Sequence, residues 1–254
     1  MLLNDLTSFF DSTLNLRAFS ADSSNNGLQI EGVPEVKKVV FAVDACQASV
    51  DFAAANQAQM LVVHHGLSWG GNPRRWTGIE AKRFGTFFCN GISLYAAHLP
   101  LDAHPLLGNN AVLCNMAEVT ELKPCFHYDG VDIGFCGKFA KEITFGDLTG
   151  KLEKLLNCRA TVLGDPAKLL TSAAVVSGGG GIDSIYAALD AQCDVLITGE
   201  MEQIMHHAAL ECGVAVIALG HYASETTGPR ALMAHVQKNF PQLETVFAES
   251  PTGL

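Results

Sequence analysis

Apolar runs of strand length alternate with helical patterns along most of the chain. The uninterrupted apolar runs predict strands at residues 39–43, 60–63, 92–97, 131–135, 173–176, 194–198, 214–219 and 244–248. The patterns of helical period predict helices at residues 1–16, 49–57, 183–191, 203–212 and 227–239. Strands that alternate with helices and are apolar at successive positions indicate an α/β fold with largely buried sheets.

A weak internal repeat divides the chain into two similar halves. In the first half, a strand and a helix lead to an apolar run that ends in His64-His65. In the second half, the same order of elements leads to a run that ends at Glu200. We therefore expect two α/β halves with mixed sheets, at residues 1–122 and 123–254, with the hairpin at residues 131–140 as the alternative boundary.

The next strand of each half ends in a histidine with an acid four residues later. His98 precedes Asp102, and His221 precedes Glu225. Because polar side chains after strand ends converge on one edge of an α/β sheet, these residues are expected to share a site. Prolines on both sides of Asp102 argue against a regular helix there. Pro229 predicts a helix that begins after Glu225.

The histidine pair and the two acids form a candidate metal site. Successive residues of a strand face opposite ways, so either the chain leaves strand geometry at His64 or the two histidines serve different metals. The set His64, His65, His221, Asp102 and Glu225 is too large for one catalytic zinc. It matches two metal ions, about 3.5–4 Å apart, that share a bridging carboxylate or hydroxide. The alternatives are a polar strand end, a turn cap at Asp102 and a helix-N-terminal charge at Glu225.

Five short runs stand in order along almost the whole chain: Asn25-Asn26-Gly27-Leu28-Gln29, Val63-His64-His65-Gly66-Leu67-Ser68-Trp69, His98-Leu99-Pro100-Leu101-Asp102, Ile197-Thr198-Gly199-Glu200 and Gly220-His221-Tyr222-Ala223-Ser224-Glu225. Together they resemble the Nif-three-like family, whose members often carry the label GTP cyclohydrolase 1 type 2 homolog. The resemblance implies a short form of the family, with a dinuclear metal site in the cleft between two α/β halves. It also implies a homohexamer, and it gives the metal ligands as His64, His65, Asp102, His221 and Glu225.

Other histidines and one acid are candidates for supporting roles. Glu200 aligns with the histidine pair in the repeat and is predicted to accept a proton or to support a ligand. His98 is predicted to orient Asp102 or to contact substrate, with a hydrogen-bonded structural histidine as the alternative. His206 is predicted to be structural, whereas His207 matches a family histidine and could face the site.

Two loops are candidate sites for binding an anion. Residues 178–181 are four glycines that join a strand to a helix, where a loop can present backbone N–H groups to an anion. A tight turn that needs small residues is the favoured interpretation. Arg74 and Arg75 are candidate contacts for an anionic substrate group, with Trp69 or Trp76 as a stacking face; solvated surface arginines are the alternative.

Composition limits the partners and the cellular location that the protein can have. The formal net charge is −10, which argues against a nucleic-acid-binding face. No apolar run approaches the length of a bilayer span, and residues 1–16 lack the features of a signal peptide. The 8 cysteines form no CxxC pair and several lie in apolar runs, which is typical of thiols in a reducing compartment. These observations predict a cytoplasmic protein.

The leading functional interpretation is a metal-dependent hydrolase. Two divalent ions would lower the pKa of a bridging water and polarise the bond that is cleaved. The nitrogen and oxygen ligands leave iron, zinc, manganese and nickel open, and the small-molecule substrate stays unidentified beyond the GTP of the family label. The alternative is a metal-handling or metal-delivery protein, or a scaffold, without turnover. A nucleic-acid-associated factor is a third class, which the net charge opposes.

Overall fold

Buried strands flanked by helices build the protein, which was studied as a computed structural model that describes residues 1–71, 75–128 and 130–254. The strands in chain order are β1 (Gly27–Ile30), β2 (Lys38–Asp44), β3 (Met60–His65), β4 (Ser93–Ala96), β5 (Val119–Tyr128), β6 (Val131–Thr144), β7 (Thr161–Leu163), β8 (Leu169–Val176), β9 (Val195–Thr198), β10 (Ala215–Ala218) and β11 (Glu244–Phe247). The helices are α1 (Leu3–Thr13), α2 (Gln47–Ala55), α3 (Ile79–Asn90), α4 (Leu99–Ala103), α5 (Asn109–Met116), α6 (Phe145–Leu156), α7 (Asp183–Asp190), α8 (Gln203–Cys212), α9 (His221–Glu225) and α10 (Thr227–Asn239). A 3-10 turn, Leu16–Phe19, follows α1.

The chain divides into two compact units, each with its own sheet. One unit comprises Met1–Leu101 and Pro229–Ser250, and the other comprises Asp102–Gly228 and Pro251–Leu254. The α/β class with two mixed sheets, as predicted, is confirmed. The boundaries of these units differ from those of the two halves of the sequence repeat. The difference arises because β11, near the end of the chain, pairs with β2 and so belongs to the sheet of the first unit. The halves at 1–122 and 123–254 stay a prediction about the repeat.

The first unit contains a five-stranded sheet in the order β1-β4-β3-β2-β11. Strands β4, β3, β2 and β11 are parallel, and β1 joins the edge antiparallel to β4. Every residue from Val39 to Val43 is at most 1% exposed, which explains why this strand is apolar at each position. Alternate strand residues pack with Val50 of α2 and Phe87 of α3.

The second unit contains a six-stranded sheet in the order β5-β6-β8-β9-β10-β7. Strands β8, β9 and β10 are parallel, whereas β5, β6 and β7 pair antiparallel with their neighbours. Successive residues of β8 face opposite cores. Val175 packs with Leu152 of α6, and Ala174 packs with Ile185 of α7 and Met205 of α8. Both faces of the sheet are therefore covered, as a parallel core requires.

Two local predictions were wrong, and one of two alternatives is excluded. The strand predicted at 60–63 continues through both His64 and His65, so the alternative in which the chain leaves strand geometry before the pair is excluded. Asp102 lies in the short helix α4 although Pro100 is present, because a proline is tolerated in the first turn, where its missing N–H has no helical acceptor. Glu225 is the last residue of α9 rather than part of an irregular turn.

The expectation of buried thiols is met only in part. All 8 cysteines lie among the described residues and are free thiols; Cys114 and Cys193 are buried, Cys89 is exposed and the other five are intermediate. Among the helices that the structure describes, none combines the length and apolarity that a membrane span requires.

Candidate functional site

Three histidines cluster at the ends of β3 and β4 in the first unit. His64 and His65 are the last residues of β3, and His98 follows β4. One ring nitrogen of each histidine lies within 4.8 Å of those of the other two. The parallel pairing of β3 with β4 explains the cluster, because it brings the carboxyl ends of the two strands together.

Hydrogen bonds fix the tautomers of the pair on β3. The Nδ1 atom of His64 lies 2.9 Å from the carbonyl oxygen of Ala97, and His64 is fully buried. The Nδ1 atom of His65 lies 2.8 Å from Oδ1 of Asp44, its direct neighbour on β2. Because these oxygens only accept, Nδ1 is the donor in both rings, and in a neutral imidazole the lone pair is then on Nε2. This is the arrangement in which histidines bind metals with a second group that orients the ring.

His98 is held in the same way by Asp22. Its Nδ1 atom lies 2.9 Å from Asp22 Oδ1, and its backbone N–H donates to Asn26 Oδ1 at 2.7 Å. Burial disfavours the charge of Asp22, but hydrogen bonds from His98, Asn26 and the backbone of Ser24 outweigh it and lower the pKa of this carboxyl. Asp22 is therefore an anionic anchor for the imidazole. The prediction that His98 orients Asp102 stays a prediction.

The Asn25–Gln29 run, which the sequence marked only through the family resemblance, braces the loop after the histidine pair. Gln29 Oε1 accepts from the backbone N–H groups of Leu67 and Ser68 at 2.8 and 3.0 Å. Asn25 donates to Ser68 Oγ at 2.7 Å. Gly66 leaves the space for this packing, since a Cβ there would overlap Gln29 Oε1. The run thus holds the loop that follows β3 in place.

The second unit carries a histidine between two carboxylates. On α9, His221 and Glu225 are one helical turn apart, and His221 Nε2 lies 3.1 Å from Glu225 Oε1. On its other side, His221 Nδ1 lies 2.7 Å from Glu200 Oε1. Hydrogen bonding to Glu225, opposed by burial and aided by Glu200, raises the pKa of His221 to about 9. A cation at Nε2 would therefore replace a proton in a strongly anionic setting.

The glycine loop lies directly against this group. Gly178 has a φ of +61°, and a Cβ at this position would overlap Oε1 of Glu225. Its carbonyl oxygen accepts from the N–H groups of Gly199 and Glu200, both at 3.0 Å. Its own N–H donates to Ser224 Oγ at 3.1 Å. These contacts favour the tight turn of small residues over an anion-binding loop.

Asp102 is buried and held from two sides within the second unit. Its Oδ1 accepts from Asn109 Nδ2 at 2.9 Å and from Ser177 Oγ at 3.0 Å. One of its oxygens also lies within 4.8 Å of a carboxylate oxygen of Glu225. Asn109 in turn accepts from the N–H of Gly228 at 2.6 Å. Two buried carboxylates this close together favour a cation as their companion.

Several residues that hydrogen-bond to the candidate ligands were not predicted from the sequence. Asp44 is the last residue of β2 and follows an apolar run, which is a detectable signal, since polar residues at strand ends mark sites in α/β folds. Asn109 and Ser177 had only weak local signals, and Asp22 had none. Asp22 meets His98 across 76 positions of sequence, so no local pattern connects them.

Of the remaining candidates, Trp69 contacts the histidine cluster of the first unit. His206 is half-buried and His207 is exposed on α8, where the two rings contact each other at 5.3 Å between centroids. Arg75 is exposed in the first unit, and the Trp69 ring contacts that of His98 at 5.0 Å between centroids. Arg74 lies outside the described residues.

The fold and these donor sets define an α/β protein of two units, with histidines and carboxylates clustered after the ends of parallel strands. A family model described as Duf34/NIF3 (NGG1p interacting factor 3) matches residues 1–252. The chain belongs to this family, and the resemblance seen in the sequence is confirmed.

Similar proteins match over their full lengths. The GTP cyclohydrolase 1 type 2 homolog of Archaeoglobus fulgidus is 42% identical over 254 residues, which are 100% of both chains. The protein of the same name from Pyrococcus abyssi is 40% identical over 253 residues, or 98% of each chain. A solved structure described as "protein ybgI, unknown function" superposes with a TM-score of 0.92 at 34% identity, and the match covers 100% of each chain.

Proposed function

We propose that this protein is a metal-dependent hydrolase. The proposed ligands of two divalent ions are His64, His65, Asp102, His221 and Glu225. The observation that carries the proposal is the orientation of three histidine rings, of which His221 also holds a proton at Nε2 towards Glu225 that a metal ion would replace. In His64, His65 and His221 the Nδ1 atom faces an oxygen at 2.7–2.9 Å, so that Nε2 is the atom oriented for a cation.

The donor chemistry fits first-row divalent metals. The candidate clusters in the described part of the chain contain histidines, Asp102 and Glu225, without a thiolate. Imidazole and carboxylate ligands suit iron, zinc, manganese and nickel. Buried carboxylates such as Asp102, which is 6% exposed, and Glu225, which is 3% exposed, are costly without compensating charge. A pair of ions would supply that charge.

Bound ions of this kind activate water as a nucleophile at neutral pH and polarise the bond under attack. The chain's own residues prepare the site. Asp44 and Glu200 orient His65 and His221 through Nδ1, and Asn109 fixes the carboxylate of Asp102. His98, with Nδ1 anchored to Asp22, is the proposed group that moves protons at Nε2. Glu200, whose side chain is 43% exposed, could share this role.

The names of the relatives support a cyclohydrolase-like reaction, since opening a purine ring is a hydrolysis. GTP is therefore the first compound to test, although the described residues do not single out guanine. The homohexamer implied by the resemblance and the cytoplasmic location stay predictions.

Hydrolysis assays with matched histidine variants test the proposal. Metal-loaded protein is expected to hydrolyse GTP or a member of a panel of cyclic amides and phosphate esters. His65→Ala should lower the rate about 100-fold or more, because a lost ligand removes an interaction on which the reaction depends. His206→Ala is the control and should stay within about twofold of the wild type.

Two outcomes would contradict the hydrolase. Turnover that His65→Ala leaves unchanged would place the activity elsewhere. Metal-loaded protein without turnover on the whole panel, but with fast exchange of its metal, would favour the delivery protein instead.

A further inference from the structure

A cleft in the first unit is not used by the proposed ligands. It has a volume of about 700 Å³, which is in the range of small-molecule sites. Three aromatic rings and two charged groups line it: Trp69, Trp76, Phe84, Arg75 and Glu80. The cleft thus combines large flat apolar walls with a few polar groups, as ligand pockets do.

The aromatic walls are positioned by their neighbours. The Trp76 ring meets the Phe84 ring edge-on, with centroids 3.8 Å apart. The Trp69 indole N–H donates to the carbonyl oxygen of Gly66 at 2.9 Å, which ties the ring to the end of the histidine strand. Both tryptophans keep 40–49% of their surface exposed. Half-exposed indoles with fixed orientation are suited to stacking on a planar ring.

The polar groups of the cleft favour a ligand that has both an anionic group and N–H donors. Arg75 is exposed at the cleft, in a chain of net charge −10, and its guanidinium can bind a phosphate or carboxylate through two hydrogen bonds. Glu80 contacts Arg83 at 3.9 Å and can accept from the ring N–H groups of a heterocycle. The lining is therefore asymmetric, with one cation and one acceptor beside the rings.

We propose that this cleft binds a planar heteroaromatic compound that carries an anionic group. The ring would stack on Trp76 and Trp69, and the anion would bind Arg75. The Trp69 ring is 6.1 Å from that of His65 between centroids, so a bound ring would lie beside a proposed metal ligand. The role of the cleft as a substrate site rests on the proposed function, whereas the binding itself does not.

Tryptophan fluorescence reports on this cleft selectively, because the chain has 2 tryptophans and both line it. Inosine 5′-monophosphate carries a ring and an anion, inosine carries the ring, and ribose 5-phosphate carries the anion. We expect saturable quenching by the first, about tenfold weaker binding of inosine, and no response to ribose 5-phosphate at millimolar concentration.

Variants separate the two parts of the proposal. Arg75→Ala should weaken binding of inosine 5′-monophosphate about tenfold and leave inosine unaffected. Trp76→Ala should weaken both by about tenfold or more, with Trp69 as the remaining reporter. Tyr186→Ala, an exposed ring on α7 in the second unit, is the control and should change neither.

The proposal is overturned if neither ring compound quenches saturably, if ribose 5-phosphate binds as well as the nucleotide, or if Arg75→Ala has no effect. The same titrations on Glu225→Ala distinguish this proposal from the hydrolase. Binding that survives in this variant supports the cleft even when metal and turnover are lost.

Discussion

The substitution Gly178→Ala is expected to remove tight metal binding while the fold persists. The added Cβ would overlap Oε1 of Glu225 and would lie 3.2 Å from His221 Nε2. The overlapping atom is the end of a side chain, so the carboxylate moves and the backbone does not have to. Because Glu225 is 3% exposed, it has little room for an equivalent position. We expect the affinity for Zn²⁺, measured by titration calorimetry, to fall about 100-fold or more.

Gly181→Ala is the matched control for this substitution. Gly181 lies in the same loop with a φ of +60°, and a Cβ there would have only the Glu202 carboxylate, at 3.9 Å, within contact range. In both variants the left-handed backbone lowers the free energy of unfolding by about 1–2 kcal/mol. Only Gly178→Ala should also lose the metal. Equal Zn²⁺ affinities in the two variants would show that the loop does not position Glu225.

Asn109→Ala is expected to cause a large loss of stability for a single polar residue. Asn109 is fully buried, donates to Asp102, and accepts from the N–H of Gly228 and the hydroxyl of Thr227. Its removal leaves a buried carboxylate with one donor fewer and a buried N–H without its acceptor. We expect a loss of about 3 kcal/mol in the free energy of unfolding, measured by urea denaturation.

Asn115→Ala on the same helix controls for helix propensity and for the loss of an amide. Asn115 is exposed on α5, so its replacement should change the free energy of unfolding by less than about 0.5 kcal/mol. If Asn109→Ala were as mild as this control, the hydrogen bonds that link Asp102 to Gly228 would not support the second unit.

The sequence predicted some elements accurately and missed others, among them α6, an amphipathic helix whose Leu148 and Leu152 are buried. Helices α8 and α10 have the predicted bounds, because their apolar residues recur at helical spacing and α10 contains Pro229 in its first turn. Strand β5 was not predicted, since the residues from Thr120 to Lys123 are exposed and polar residues dominate them. An edge strand is stabilised by its partner β6 rather than by its own apolar run.

The sequence likewise predicted some residues of the candidate site and missed others. His64, His65 and His221 were visible from sequence because strand ends of an α/β fold collect functional residues. The residues that orient them were not, because their contacts join distant positions. Asn109 meets Gly228 across 119 positions, and Asp22 meets His98 across 76. Such pairs follow from the packing of the chain, which no local periodicity encodes.

The metal content of the protein tests the central claim most directly. Elemental analysis of tag-free protein, reconstituted with iron, zinc, manganese or nickel, should give about two ions per chain. Glu225→Ala should retain far less, and Glu211→Ala, an exposed acid on α8, should match the wild type. A wild type that takes up none of the four metals, or a Glu225→Ala variant with full content, would contradict the dinuclear site and the hydrolase built on it.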